Sequence, residues 1–255
     1  MAKVSQHLMA NPTCGPTPLS NRSVLGVATL LFGALLAPLT LAAQAPPVPG
    51  AGFASRYVVV LDPAHGGQDA GAHLTIAGGA GQDEKTFALT LGTKLRALLA
   101  ARGFTVITTR DGDSGISATQ RAETANRARA QACLSLHATS SGSGIHLYVS
   151  SLTPPPDAVR VPAWKTAQAA YVTRSLALAG VINAAMTNAS LSISMGRTAL
   201  LGMDSMTCPA VAVEVAPSPA GKQTPGNLDD PAYQTRVADA LAAALVQWRS
   251  EGQQP

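Results

Sequence analysis

The stretch RYVVVLDPAHGGQDAGA (56–72) decides the fold. It opens on a β-branched run, Arg56 to Asp62, short enough for a buried strand. The run breaks at His65, which two glycines follow. Glycine adopts backbone angles closed to other residues, so the chain can turn sharply there and leave the imidazole exposed at the strand end. Downstream, Asp83 to Ala101 reads as a helix, with Phe87, Leu91, Leu95 and Leu98 on one side and Gly103 as its stop. Phe104 to Thr109 is a second strand. Ser117 and Gln120 form a capping-box pattern ahead of a helix whose inner face is alanine (Ala118, Ala122, Ala125, Ala128), so it must pack close. Ala132 to His137 and Gly144 to Ser150 are further strands. A loop rich in proline (Pro154, Pro155, Pro156, Pro162) leads to a long helix marked by Trp164, Tyr171, Leu178 and Ile182. Pro209 to Val215 is another strand, and Asp230-Pro231 opens a last helix with Val237, Leu241, Leu245 and Trp248 on one side. Strands alternating with helices predict a three-layer α/β/α domain around a mostly parallel central sheet, over residues 56–250.

Composition agrees with one folded domain. The chain has 255 residues, 46% of them apolar, which excludes a disordered chain. The formal charge of +4 is mild and gives no support to nucleic-acid binding.

The first 45 residues read as a separate object. Val24 to Ala43 is apolar and uncharged, Arg22 precedes it, and small residues end it. This is the pattern of a secretory signal peptide, with an N-terminal membrane anchor as the alternative because the run is nearly long enough to span a bilayer. A Pro/Gly-rich linker fills 46–55. On either reading the domain is exported, to the periplasm or cell envelope. Cys133 and Cys208 are then an even pair in an oxidising compartment. They stand four residues before His137 and six before Glu214. On neighbouring strands that offset is near the upper limit for a bridge, so a disulfide and two buried thiols both stay open.

In such folds chemistry collects where strands end. His65 ends the first strand, His137 the third, and Glu214 lies inside the apolar run PAVAVEV (209–215). Glu84, in the first turn of the first helix, shares the inward side of Phe87 and Leu91. Each has an ordinary reading alone: a packed histidine, an acid favoured by the helix dipole, an acid paired with an arginine. Together they place two acids and two histidines on one rim, and an unpaired buried carboxylate is expensive. Two imidazoles and one carboxylate form a catalytic zinc ligand set with an open position for water, which leaves one group free as a base.

The chain resembles the zinc-dependent N-acetylmuramoyl-L-alanine amidases of the amidase-3 family. The resemblance is carried by DPAHGGQDAGA (62–72), DEKTFALTLGTKLRALL (83–99), TRDGD (109–113), QRAETAN (120–126), SLHAT (135–139), GIHLYVS (144–150) and PAVAVEV (209–215). It covers Tyr57 to about Trp248. The chain departs from the family pattern at Ala64, Thr139, His146 and the segment after Glu214. The resemblance implies one Zn²⁺ per chain on His65, Glu84 and His137, with Glu214 as the catalytic acid-base. It implies peptidoglycan as substrate, cleaved between N-acetylmuramic acid and L-Ala of the stem peptide. A protein activator, and a membrane tether if the signal is retained, are further expected partners. The alternative function is a catalytically weakened domain of this fold that binds or regulates peptidoglycan. Asp62 is expected to orient the loop or the His65 ring. Arg110 and Arg121 are expected either to bind acidic stem groups or to brace backbone carbonyls.

Overall fold

A computed structural model describes residues 56–75, 81–154, 163–218 and 226–252. The signal or anchor expected over 1–45 and the linker over 46–55 lie outside the described residues. Val58–Pro63 (β1) is the strand of the opening motif, and a two-residue ribbon, His73–Leu74 (β2) with Gln82–Asp83 (β3), follows it. Then come Glu84–Ala101 (α1), Thr105–Thr108 (β4), Ala118–Ala128 (α2), Ala132–Ala138 (β5) and Ile145–Ser150 (β6). Val172–Asn188 (α3), Ile193–Thr198 (β7), Ala210–Val215 (β8) and Pro231–Glu251 (α4) complete the domain. Six strands form one sheet in the order β4-β1-β5-β8-β6-β7. All neighbouring strands in it run parallel except β6 against β8. The expected mostly parallel sheet with helices on both faces is what the chain builds.

Alternation along the strands divides the core. Val59, Leu61, Leu134, Leu136, Val211, Val213, Ile145 and Leu147 face one way and bury against α1, α3 and α4. The other face carries mostly small side chains, Cys133, Ala210 and Ala212 beside Val60, under Ala122 and Ala125 of α2. Helix α2 comes close because its inner face is alanine, and its start is fixed by the capping box of Ser117 and Gln120.

The short β2–β3 ribbon and two further elements differ from expectation. Helix α3 begins at Val172, because Trp164–Tyr171 winds as a 3₁₀ segment with a non-helical break at Thr166 (φ −128°, ψ 20°). Strand β7 went unforeseen: it is an edge strand with no fully buried residue, so no apolar run announces it.

The two cysteines are joined. The Cys133–Cys208 disulfide spans Cα atoms 6.2 Å apart. Cys133 stands opposite Ala210 and its N–H donates to Pro209 O, so Cys208 lies two residues back along the neighbouring chain. The offset read from the sequence is real, and it falls within bridging reach.

Candidate metal centre

The C-terminal ends of β1 and β5 meet the start of α1, and three predicted residues converge there. His65 Nε2 lies 3.1 Å from Glu84 Oε2, and His137 Nδ1 lies 2.9 Å from Glu84 Oε1. The three donor atoms all fall within 4.8 Å of one another. The imidazole rings stand perpendicular, at 89°, with centroids 5.5 Å apart.

Local backbone geometry explains the convergence. His65 itself is left-handed, at φ 60°, a conformation that β-carbon crowding makes uncommon outside glycine. Gly71 permits the close approach beneath the cluster: a Cβ there would lie 2.6 Å from His65 Cδ2 and 2.7 Å from Glu84 Oε2. Backbone N–H groups of Ala72 and Ala138 donate to the two Glu84 oxygens, at 3.0 and 3.2 Å. Burial works to raise the Glu84 carboxyl. The hydrogen bonds from His137 and Ala72, with the nearby imidazoles, outweigh it and bring the group down to about 2.

Behind each histidine stands a partner that sets its tautomer. Asp69 Oδ2 lies 2.9 Å from His65 Nδ1, and a carboxylate can only accept, so that nitrogen carries the proton. Ser135 Oγ donates its one hydrogen to Asp62 Oδ2 at 2.9 Å. Its lone pair is left to accept from His137 Nε2–H, at 3.3 Å. With those outer nitrogens protonated, His65 Nε2 and His137 Nδ1 can offer lone pairs to a cation that takes the place of their contacts with Glu84. The donor set of two imidazoles and a carboxylate, with Asp69 and Ser135 as outer partners, fits a divalent metal.

Asp62 does not touch the His65 ring. Besides Ser135, its carboxylate accepts from Thr109 Oγ1 and Arg121 Nη1, both at 2.6 Å. Asp69 holds the ring instead; its four-residue spacing from His65 was the available sequence signal. The arginines brace backbone. Arg110 is buried and donates to the carbonyls of Pro63, Ala64, Lys85 and Gly112. Arg121 donates to Pro63, His65 and Ile116 carbonyls as well as to Asp62. Together they fasten the turn that carries His65.

Glu214 is half-buried on β8, paired in register with His137 on one side and His146 on the other. Its carboxylate accepts no hydrogen bond from a described residue. His146 stays outside the donor cluster, with Nδ1 2.9 Å from Ser194 Oγ. The cleft over the cluster has a volume of about 360 Å³ and is bordered by Asp62, His65, Ser117, Arg121, His137 and Leu201. A larger cavity of about 740 Å³, between α3 and α4, holds none of the predicted site residues.

The fold and this cluster define an α/β domain with a hydrolase-type His/Glu/His donor set at a strand-end rim. The chain belongs to the N-acetylmuramoyl-L-alanine amidase family Amidase_3, whose model matches residues 59–247. AmiA of Escherichia coli strain K12, an N-acetylmuramoyl-L-alanine amidase, is 40% identical over 83 residues, which is 32% of this chain and 27% of that protein. A probable amidase, AmiB of Haemophilus influenzae, is 38% identical over 92 residues, 36% of this chain and 21% of that protein. The match thus spans about a quarter of these curated relatives. The catalytic domain of CwlV, an amidase of Bacillus (Paenibacillus) polymyxa var. colistinus, superposes with a TM-score of 0.56 at 26% identity, covering 76% of this chain and 98% of that one.

Proposed function

We propose that this chain is an exported zinc-dependent N-acetylmuramoyl-L-alanine amidase that cleaves peptidoglycan between N-acetylmuramic acid and L-Ala of the stem peptide. The convergence of His65 Nε2, Glu84 and His137 Nδ1 within 4.8 Å carries the reading, in a domain that the amidase family matches nearly end to end. Zinc bound to these three residues supplies Lewis-acid polarisation of the scissile carbonyl and lowers the pKa of the attacking water.

The chain's own groups do the rest. Glu84 holds its geometry through Ala72 and Ala138 N–H, so the donor set is in place before substrate arrives. Asp69 and Ser135 keep the histidine lone pairs directed at the centre. Glu214, beside His137 and free of hydrogen-bond donors among the described residues, takes the proton from the water and returns it to the departing L-Ala nitrogen. The carbonyl bond breaks to that nitrogen, and the lactyl group leaves as a carboxylate. The Cys133–Cys208 disulfide supports an oxidising, exported location. A cleavable signal or anchor over 1–45 and a protein activator belong to the same proposal.

Mass spectrometry of purified peptidoglycan digested by the exported domain tests it. The expected products are stem peptides with free L-Ala amino groups and glycan strands with intact lactyl carboxylates. Cleavage at a different bond, or intact peptidoglycan in the presence of zinc, contradicts it.

A further inference from the structure

Beside the metal cleft lies a second cavity of about 260 Å³, bordered by Thr119, Trp164, Lys165, Asp204 and Ser205. The two cavities share Ala118 and Leu201 in their walls, so they lie side by side. Their common partition is tight: a Cβ on Gly202 would lie 3.1 Å from the Ala118 methyl. Three features of this second cavity are unusual together. Trp164 leaves 45% of its surface exposed, and Leu201 leaves 94%. Lys165 borders the same space and forms no salt bridge among the described residues. Asp204 Oδ2 accepts from Leu200 N–H at 3.1 Å, and its Oδ1 is buried with no hydrogen-bond partner among the described residues.

We propose that this cavity is a saccharide subsite that holds an N-acetylated sugar of the glycan strand next to the scissile bond. The choice of occupant rests on the amidase reading, in which the bond to be cut hangs from a sugar and the strand must leave the cleft along some wall. The chemistry of the wall selects the sugar. An indole face carries negative quadrupole charge and attracts the weakly positive C–H edge of a pyranose ring. Asp204 and Ser205 put polar side chains in the same wall, and sugar hydroxyls both donate and accept. The Lys165 ammonium donates to hydroxyl and acetamido oxygens. An apolar protein surface docked here would cover Trp164 and Leu201 but leave the Lys165 ammonium unsatisfied, which is costly once water is excluded.

The probe is the β-1,4-linked tetramer of N-acetylglucosamine, which carries no peptide and no scissile amide. Binding is read on the exported domain in chelator, by intrinsic fluorescence and calorimetry. The chain has two tryptophans, and the other, Trp248, is nearly buried with its Nε1–H on Gln131 O, so Trp164 dominates the response. The tetramer is expected to bind saturably. Trp164→Ala and Asp204→Ala each weaken calorimetric binding about tenfold or more, while Trp164→Phe, which keeps an aromatic face, retains part of it. Circular dichroism confirms that the variants fold. No saturable binding, binding that survives Trp164→Ala, or free stem peptide or an apolar peptide saturating the cavity in the tetramer's place overturns the subsite. Hydrolysis of peptidoglycan is scored separately: tetramer binding without hydrolysis leaves the subsite standing and counts against the amidase reading, and hydrolysis without tetramer binding does the reverse.

Discussion

The two faces of the sheet are built from opposite materials. On one, valine, leucine and isoleucine from every central strand interlock with α1, α3 and α4. On the other, alanine and cysteine, with Val60, Met203 and Met206, lie under α2 and a short 3₁₀ turn, and the covalent Cys133–Cys208 link sits among them. The large face buries enough apolar surface to hold the fold. The small face gives up that volume, and at its C-terminal rim the alternating positions become Asp62, Ser135, His137 and Glu214. Strand parity thereby separates the bulk of the apolar burial from the strand residues of the site.

Four measurements break or sharpen that contrast. The largest effect on stability falls on the cross-link. Replacing both Cys133 and Cys208 by serine opens a loop closed across 75 residues and lowers unfolding free energy by about 4 kcal/mol on the chain-entropy account. Denaturant midpoints of oxidised wild type and the double variant read it, and a change near zero would mean that small-residue packing alone holds this face. Next is the large face. Leu91→Ala, fully buried on α1, should cost about 3 kcal/mol and leave metal affinity unchanged. A matching fall in metal affinity would show that the faces are not independent.

Third comes the support of the centre. Asp69→Ala removes the acceptor on His65 Nδ1 and should weaken zinc binding by about 10- to 100-fold with little change in stability, since Asp69 is exposed. Competition with a chromophoric chelator measures it, and unchanged affinity would assign ring orientation to the backbone at His65. The smallest effect is acid dependence in the metal-free protein. The Glu84 carboxyl is held at about 2 in the folded state, below its ordinary 4.5. A depressed folded value contributes stability that is full above the ordinary value and lost as pH falls toward the depressed one. The stability gap between wild type and Glu84→Gln should therefore narrow from about pH 4.5 to about pH 2. A gap independent of pH would mean that the two forms are held alike.

The sequence exposes the large face and the donors better than the support between them. Strand β1, the alanine face of α2 and the capping box are local patterns, and local patterns survive in a bare sequence. His65, Glu84 and His137 were legible because burying polar groups at strand and helix ends is costly unless something pairs them. Asp69 was missed in favour of Asp62, because both flank His65 and only the turn through Gly66 and Gly67 decides which carboxylate reaches the ring. The Ser135 relay depends on β1 and β5 being neighbours, a fact of topology. Strand β7 escaped because an edge strand half in solvent needs no apolar alternation. The 3₁₀ winding at Trp164–Tyr171 escaped because its apolar spacing suits a helix and only the break at Thr166 distinguishes it.

The account's central claim is that His65, Glu84 and His137 hold the metal while Glu214 moves the proton. Zinc content and peptidoglycan hydrolysis, measured side by side on wild type, His137→Ala and Glu214→Ala, test it most directly. The account predicts one zinc per wild-type chain with hydrolysis. Glu214→Ala should keep its zinc and lose activity by about a thousandfold, and His137→Ala should lose both. Wild-type protein that binds no zinc, or a Glu214→Ala variant that hydrolyses at the wild-type rate, would contradict it.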